Sequence, residues 1–308
     1  MDQQDPPHHL EHAPLGFSAY QNIRHRLPSA TRMGACQHRV DLSDIADQYD
    51  TFLLDAYGVI NRGHQAIPGV PERVRDLQGA GKRVMIVSNA AGFPHRVLMA
   101  RYETLGYQFD PDDVITSRKT LVHGLYAETP RHWGMIAGQH FGPEEFPPLD
   151  YQLLADTPDD YARAEGFLLV GASDWTPTRQ AHLIKTLKTH PRPLLVANPD
   201  LIAPQEGGHS TEPGTYAHQI IDATGITPVF YGKPFGNIFE LAKARLGADF
   251  NNTRTLMVGD TLHTDILGAQ AAGIDAALVT QSGVLAGMDI NQAITESAIA
   301  PDWILNQA

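Results

Sequence analysis

The stretch TFLLDAYGVI, residues 51–60, carries a short apolar run directly into an aspartate, Asp55. A second stretch, TLMVGDTLHTDILGAQAAG at residues 255–273, follows its apolar run with Gly-Asp and then with a helix-like segment. Short apolar runs of this kind predict strands buried on both faces, because helices cover both sides of a parallel sheet. We therefore predict an α/β fold built on a parallel sheet.

The same alternation of apolar runs and amphipathic segments continues along the chain. The further predicted strands are RVMIVSN (83–89), GFLLVG (166–171), PLLVAN (193–198), PVFYGKP (228–234) and AALVTQS (276–282). The first forty residues differ, since they are rich in Pro, His and Gln and lack a steady period. We interpret them as a mobile or loosely docked arm. Its histidines, His8, His9 and His12, could bind a metal, but we favour a solvated tail.

Composition excludes several classes of function. The chain has 308 residues and a formal net charge of −12, which argues against a nucleic-acid partner and requires any anion site to be made positive locally. The single cysteine, Cys36, rules out an internal disulfide framework. No leader-like segment and no apolar run near membrane-spanning length is found in the sequence, so we expect a cytoplasmic protein with no membrane partner.

Polar residues stand at the ends of four predicted strands: Asp55, Ser88, Lys233 and Asp260. In an open α/β sheet the carboxyl ends of the strands border the ligand crevice. Any one of these residues is explained equally well as a polar stop to a strand. Together they form a chemically consistent set, and we expect them to converge on one site.

The acidic members of the set suit a magnesium ion. Asp55 and Asp260 offer the hard oxygen ligands that Mg²⁺ prefers. Asp265 opens the segment DILGAQAAG, where it either supports the metal site or caps a helix.

The remaining members suit a phosphoryl group. Ser88 and its neighbour Asn89 can donate hydrogen bonds to phosphoryl oxygens, and Lys233 can neutralise them. With such a group in place, Asp55 becomes a plausible nucleophile that forms an aspartyl-phosphate.

At these residues the chain resembles the haloacid dehalogenase (HAD) superfamily, and specifically its class IIA branch of ribonucleotide monophosphatase and nitrophenylphosphatase type. The matching segments are LLDAYGVI (53–60), VSNA (87–90), YGKP (231–234) and VGDTLHTDILGAQAAG (258–273). Supporting features of the branch are IPGV (67–70), ANPD (197–200), EPGT (212–215) and TQSGV (280–284). The resemblance spans residues 48 to 290 and leaves the N-terminal arm unexplained.

The resemblance implies a Rossmann-like parallel-sheet core with an α/β cap domain inserted between VSNA and YGKP. The interval between Ser88 and Lys233 is far longer than one βα unit needs, which independently favours an insertion. The expected domains are the arm at 1–40, the core at 41–129 and 229–308, and the cap at 130–228. The cap loop that spans residues 197–215 is the expected source of substrate contacts, through Asn198, Asp200 or His209.

The resemblance also implies roles for the strand-end residues. Asp55 would attack phosphorus and ligate Mg²⁺, Ser88 and Lys233 would hold the phosphoryl group, and Asp260 would ligate the metal with Asp265 alongside. Residue 57 would lend the metal its backbone carbonyl.

The departure from the family pattern is at Tyr57, where most phosphatases of the superfamily have an aspartate that acts as general acid and base. Metal binding through the carbonyl should survive this change. We expect general acid and base catalysis to be either weakened or moved to another residue, such as His209 or His263.

Three functions remain open at this point. The favoured one is a Mg²⁺-dependent phosphatase of small phosphorylated metabolites. The others are a dehalogenase-type hydrolase that acts at carbon, and a protein that binds a phosphorylated ligand without turning it over. The sequence does not identify the substrate, and a homodimer formed through the cap is compatible with the resemblance.

Overall fold

The computed structural model describes residues 9–138, 141–205 and 208–308. Its strands are β1 (Gln37–Arg39), β2 (Thr51–Leu54), β3 (Asn61–Arg62), β4 (Gln65–Ala66), β5 (Arg83–Ser88), β6 (Val114–Thr116), β7 (Trp133–Ile136), β8 (Tyr151–Leu153), β9 (Gly166–Leu169), β10 (Leu194–Val196), β11 (Ile202–Gln205), β12 (Gly208–Thr211), β13 (Val229–Phe230), β14 (Thr255–Gly259), β15 (Asp275–Val279) and β16 (Trp303–Leu305).

Its helices are α1 (His9–Ile23), α2 (Val70–Gly79), α3 (His95–Thr104), α4 (Ser117–Leu125), α5 (Pro158–Arg163), α6 (Pro177–Thr189), α7 (Pro213–Thr224), α8 (Gly236–Leu246), α9 (Leu267–Ala272) and α10 (Ile290–Ser297). One π-helical turn, Leu262–Ile266, leads directly into α9. None of the helices in these ranges combines the length and the apolar character needed to cross a bilayer.

The central sheet confirms the predicted Rossmann-like α/β fold. Its strands run in the order β1-β16-β15-β14-β2-β5-β6, and every neighbouring pair is parallel. Successive side chains of a strand point to opposite faces, so β2 serves two cores at once. Phe52 and Leu54 belong to the apolar cluster on one face, and Leu53 belongs to the cluster on the other.

Helices cover both faces of this sheet. On one side α2 buries Val70, Val74 and Leu77 at the spacing of an amphipathic helix, and α3 packs beside it. On the other side α8 and α9 pack through Phe239 and Leu267. This double cover explains why the interiors of the central strands β2, β5 and β14 are apolar and buried.

A second parallel sheet, β13-β10-β9-β7-β8, is formed by residues between VSNA and YGKP. Phe167 and Leu169 of β9 face a cluster completed by α6 and α7, whereas Leu168 packs toward Leu121 and Leu125 of α4. The two remaining strand pairs, β3-β4 and β11-β12, are antiparallel hairpins. We propose that the second sheet is the centre of the cap expected at residues 130–228.

The N-terminal arm differs from its expected loosely docked form, because α1 packs on the rest of the chain. Phe17, Tyr20 and Ile23 are buried, and their three-residue spacing places them on one side of the helix. The high content of Pro and His hides this short pattern in the sequence. His8 and the side chains of His9 and His12 lie outside the described part of the structure.

We expect Phe167→Ala to lower the free energy of unfolding by about 3–5 kcal/mol, because the ring is fully buried between β9 and the helices above it. Tyr126→Ala is the matched control, since Tyr126 is 74% exposed, and its effect should stay within about 0.5 kcal/mol. Urea unfolding of both variants measures the difference. Equal losses in the two variants would contradict the packing described for β9.

Candidate active site

Three neighbouring strands of the central sheet deliver their polar ends to one edge. Asp55 follows β2, Ser88 ends β5 and Asp260 follows β14, and the sheet order places β2 between the other two. Lys233 reaches the same place from the segment between β13 and α8. The convergence expected from strand-end positions is thus present in the structure.

The ammonium of Lys233 lies between two carboxylates. Its Nζ is 2.7 Å from Asp55 Oδ1 and 2.6 Å from Asp265 Oδ1, and the residue is 1% exposed. Burial by itself would lower the pKa of Lys233, but the nearby charges of Asp265 and Asp55 outweigh it and raise the pKa. Lys233 therefore carries its charge throughout the neutral pH range.

The carboxylates of Asp260 and Asp265 are held in place by hydrogen bonds from backbone N–H groups and a hydroxyl. Asp260 Oδ2 accepts from the backbone N–H of Val284 at 2.8 Å, and its Oδ1 accepts from the hydroxyl of Thr261 at 2.9 Å. Asp265 Oδ2 accepts from the backbone N–H groups of Asp260 at 3.2 Å and Thr261 at 3.1 Å. The π-helical turn thus bends back on the end of β14 through Asp265, whereas Val284 and Thr261 hold the carboxylate of Asp260.

Two glycines allow the chain to pass close to Asp260. Gly58 and Gly283 have φ angles of +87° and +89°, which favour glycine, and a Cβ atom at either position would overlap the Asp260 carboxylate. The hydroxyl of Ser282 donates to the Gly58 carbonyl at 2.6 Å and ties the two segments together. Close backbone approach on two sides explains why Asp260 is buried.

The carboxylates of Asp55, Asp260 and Asp265 form a cluster whose ligand oxygens lie within 4.8 Å of one another. Burial and the neighbouring charges of Asp265 and Asp55 raise the pKa of Asp260 well above its usual range. Burial also raises the pKa of Asp265 to about 6, although Lys233 opposes the rise. Three acidic groups with a single lysine leave a surplus of negative charge, and a hard divalent cation fits such an all-oxygen donor set.

Asn89 differs from its expected role as a phosphoryl donor, because its amide is used within the protein. Its Oδ1 accepts from the backbone N–H of Lys233 at 2.7 Å, and its Nδ2 donates to the Lys233 carbonyl at 2.9 Å and to Asp200 Oδ1 at 2.8 Å. Asn89 thus positions the lysine and the cap loop. Within the described ranges, the hydroxyl of Ser88 accepts from the backbone N–H of Ala90 and donates to no other group, so its hydrogen is available to a ligand.

A cavity of about 580 Å³ lies between the carboxyl ends of the two sheets. It is lined by most of the residues that the sequence singles out: Asp55, Tyr57, Ser88, Asn89, Asn198, Asp200, Lys233 and Asp260. Asp265 stands behind Lys233 and is joined to the cavity through it. The side chain of His209, in β12, lies outside the described residues.

The cap loop supplies carboxyl groups to the far wall of the cavity. Asn198 donates from Nδ2 to Glu212 Oε2 at 2.9 Å, and its Oδ1 accepts from the backbone N–H of Asp200 at 2.9 Å. Burial raises the pKa of Asp200, although Lys233 opposes it, and burial also raises the pKa of Glu212. These contacts give the loop a defined shape above the carboxylate cluster of Asp55, Asp260 and Asp265.

Tyr57 lies on the core side of the cavity with a cation behind it. The guanidinium of Arg101 donates to the Tyr57 hydroxyl and also lies 4.5 Å from the centre of the Phe93 ring. Burial raises the pKa of Tyr57 despite the opposing charge of Arg101, so the phenol is protonated at neutral pH. Because its oxygen accepts from Arg101, its own hydrogen can be donated to another acceptor.

Among the cavity and near-cavity residues that the sequence-based set does not contain are Tyr20, Arg101 and Glu212. Glu212 opens the segment EPGT, which marks the branch without indicating a role. The signal for Tyr20 is its spacing from Phe17 and Ile23. No pattern in the sequence indicates that Arg101 of α3 contacts Tyr57.

We expect Lys233→Met to destabilise the protein by about 3–5 kcal/mol at pH 7.5, because it leaves buried carboxylates uncompensated. The pKa of Asp265, already raised to about 6, should rise further without the lysine. The folded variant then binds protons that the unfolded chain has lost, so its stability increases as the pH falls, and the penalty should shrink as the pH falls from 7.5 to about 6 and then level off.

The control for this change is Lys243→Met, which breaks a surface pair with Glu240 and should cost at most about 0.5 kcal/mol at either pH. Urea unfolding at pH 7.5 and pH 5.5 measures both variants. A penalty at Lys233 that does not change with pH would show that the carboxylates are not the source of the destabilisation.

Two family models match the chain, one before and one after most of the second sheet. The model described as haloacid dehalogenase-like hydrolase matches residues 52–144, and the HAD-hydrolase-like model matches residues 230–307. Together they cover more than half of the chain and contain the strand-end residues of the site.

Relatives and solved structures agree with these matches. The chain is 26% identical to a dihydroxyacetone phosphatase of Corynebacterium glutamicum, over 76% of this chain and 82% of the relative. A possible sugar phosphatase of the HAD superfamily from Cytophaga hutchinsonii superposes with a TM-score of 0.77 at 22% identity, over 89% of this chain and 98% of that one. A glycerol phosphate phosphatase from Mycobacterium tuberculosis, in complex with calcium, superposes with a TM-score of 0.63 at 23% identity, over 84% and 77%. The chain belongs to the haloacid dehalogenase-like hydrolases.

Proposed function

We propose that the protein is a Mg²⁺-dependent phosphatase of the class IIA branch that hydrolyses small phosphorylated metabolites through an aspartyl-phosphate at Asp55. The observation that carries the proposal is the contact of Lys233 Nζ with Asp55 Oδ1 at 2.7 Å, beside a cluster of three carboxylates and at the floor of a cavity. The protein is thus a phosphoric ester hydrolase. It combines a nucleophile, a phosphoryl-binding cation and a metal site in one crevice.

Asp55 is the member of the cluster that is free to attack. Asp260 and Asp265 accept hydrogen bonds from backbone N–H groups, whereas the Asp55 carboxylate lines the cavity and contacts Lys233. A carboxylate oxygen of Asp55 forms the new bond to phosphorus, and the bond from phosphorus to the leaving oxygen breaks with its electron pair. Water then cleaves the acyl phosphate and restores the carboxylate.

Lys233 and Ser88 hold the group that is transferred. The ammonium is fixed by two carboxylates, so it offers charge to phosphoryl oxygens without having to be ordered first. Ser88 is the last residue of β5, the strand beside β2, and its hydroxyl can donate to the same phosphoryl group. These two donors stabilise the charge that spreads over the phosphoryl oxygens in the transition state.

The metal site comprises the carboxylates of Asp55, Asp260 and Asp265 and, by resemblance, the backbone carbonyl of Tyr57. A bound Mg²⁺ would neutralise repulsion between the nucleophile and the phosphoryl group. Support for a divalent cation comes from the surplus negative charge of the cluster and from the related glycerol phosphate phosphatase that holds calcium.

Two of the proteins named above are a dihydroxyacetone phosphatase and a glycerol phosphate phosphatase, whose named substrates are phosphates of three-carbon compounds, and a cavity of about 580 Å³ accommodates substrates of that class. We therefore favour compact metabolites over large phosphorylated ligands. The cytoplasmic location and the homodimer stay predictions.

The proposal is tested with Asp55→Asn, which keeps the shape of the nucleophile and removes its charge. We expect turnover of acetyl phosphate to be lost and the thermal stabilisation by Mg²⁺ to weaken, since one ligand and one negative charge are gone. Phosphate release and thermal unfolding, each with Mg²⁺ and with chelator, measure the two effects. The exposed carboxylate Asp249 provides the control Asp249→Asn, which should change neither.

Near-native turnover in Asp55→Asn would refute the assignment of the nucleophile. Halide release from a haloacid by the unmodified protein, without Mg²⁺, would identify the dehalogenase-type reaction instead. Stabilisation by a phosphate ester without any phosphate release would identify a binding protein.

A second test concerns the leaving group. Tyr57 is held protonated and is a poor base, and a positioned acid or base is typically worth roughly 10² to 10⁴ in rate. We expect acetyl phosphate and nitrophenyl phosphate, whose leaving groups depart without a proton, to react far faster than a sugar phosphate. Tyr57→Asp should narrow this difference and leave Mg²⁺ affinity little changed. The values of kcat/KM for the three esters decide the matter.

The matched control is Tyr57→Phe, which keeps the ring and removes the hydroxyl, and which should leave the difference at least as large. Equal rates for the three esters in the unmodified protein would show that another group supplies the proton. His263 is not suited to that role, since burial lowers its pKa to about 3 and leaves it neutral. His209 would then be the next candidate for the group that supplies the proton.

A further inference from the structure

Tyr20 of α1 belongs to the wall of the catalytic cavity, although it lies far outside the matched family segments. It is 2% exposed, and its ring stacks on the imidazole of His263 with 5.4 Å between centroids and 10° between planes. Its hydroxyl accepts from the backbone N–H of Leu201 at 3.1 Å. One side chain therefore contacts both the segment at residues 258–273, called the metal loop, and the cap loop.

Further contacts fix α1 to the metal loop. His263 Nε2 and Gln21 Oε1 are 2.8 Å apart, and Gln21 Nε2 donates to the Glu296 carbonyl at 2.7 Å. The ring of Phe17 meets His263 edge-on at 5.4 Å. The helix is thus anchored to the core beside the carboxylate cluster.

A separate group of contacts joins α1 to the segment above the cavity. Tyr20 and Ile23 form an apolar cluster with Leu201 and the partly buried Ile202. The guanidinium of Arg26, just beyond the helix, pairs with Asp222 and donates to the His218 carbonyl at 3.4 Å. The helix therefore bridges the two sides of the crevice.

We propose that Tyr20 determines substrate size in this enzyme, by closing one wall of the cavity and by holding the cap loop at Leu201 over the phosphoryl site. The inference rests on the proposed phosphatase function. Asp200 stands next to Leu201 and accepts from Asn89, so the same bond also helps to place the polar end of the loop. Compact leaving groups fit in front of the ring, and bulkier ones meet it.

The test uses two variants of the full chain. Tyr20→Ala removes the wall, and we expect it to raise kcat/KM for adenosine 5′-monophosphate relative to glycerol 3-phosphate by about 10-fold or more, as for other changes in pocket size. Tyr20→Phe keeps the ring as a wall and removes only the hydroxyl that holds the loop, so its change in selectivity should be smaller than that of Tyr20→Ala. Ser18→Ala, at an exposed position of the same helix, is the control for both.

A second measurement does not depend on activity. Hydrogen exchange of the peptide that contains Leu201 should become faster in Tyr20→Phe and Tyr20→Ala, because the hydroxyl that accepts from this N–H is gone. Exchange in Ser18→Ala should match that of the unmodified protein. Should Tyr20→Ala fail to fold, Tyr20→Leu replaces it as the variant that removes the ring.

The outcomes separate this inference from the function on which it rests. If the unmodified protein releases phosphate neither from these two esters nor from acetyl phosphate, the phosphatase proposal fails and the size inference fails with it, whereas activity on acetyl phosphate alone would refute the size inference and leave the phosphatase proposal standing. Unchanged exchange at Leu201 would refute the contact itself. If the unmodified protein is active and a folded variant without the ring keeps the native selectivity, Tyr20 does not determine substrate size. Native exchange rates at Leu201 in both variants would show that the hydroxyl does not hold the loop.

Discussion

The buried ammonium of Lys233 makes the rest of the site possible. Asp55 and Asp265 belong to segments more than two hundred positions apart in the sequence, and each lies within 2.7 Å of the same nitrogen. Without a cation between them, two carboxylates shielded from water would repel each other and take up protons. Asn89 extends this constraint, because it bonds to both the N–H and the carbonyl of Lys233 and so fixes where the side chain begins.

Lys233 neutralises only part of the negative charge of the carboxylate cluster, and the remaining charge suits a divalent cation. A single lysine lies among three carboxylates. Burial and the remaining repulsion between the carboxylates raise the pKa values of Asp260 and Asp265. Backbone N–H groups and close glycine contacts hold the acidic groups in place despite their repulsion. Such an arrangement is stabilised by any divalent cation that binds it, which couples the stability of the folded state to the metal that the proposed reaction requires.

The sequence predicts the parts of this structure that depend on local pattern. Buried strands were predicted from apolar runs, and the convergence of Asp55, Ser88, Lys233 and Asp260 follows from the rule that strand ends face the crevice. The parts it missed depend on contacts between distant segments. The use of Asn89 as a support for Lys233, the bond from Arg101 to Tyr57 and the docking of α1 each require a partner from elsewhere in the fold. In α1 the composition also obscured a short apolar pattern that structure makes plain.

Hydrogen bonding around the cavity limits which group can deliver a proton to the leaving oxygen. Asp200 has one carboxylate oxygen held by Asn89, and Glu212 accepts from Asn198 and from the hydroxyl of Ser210, so both carboxyls are used to shape the cap loop. Tyr57 differs because Arg101 occupies its oxygen and leaves its hydrogen free to point elsewhere. A phenol in this state can donate a hydrogen bond to a departing oxygen but cannot readily activate water in the next step, since its pKa is raised. The rate of the first step should therefore depend strongly on how easily the leaving group departs, and the rate of the second on how reactive the acyl phosphate is toward water. Both dependences follow from Tyr57 and its bond to Arg101.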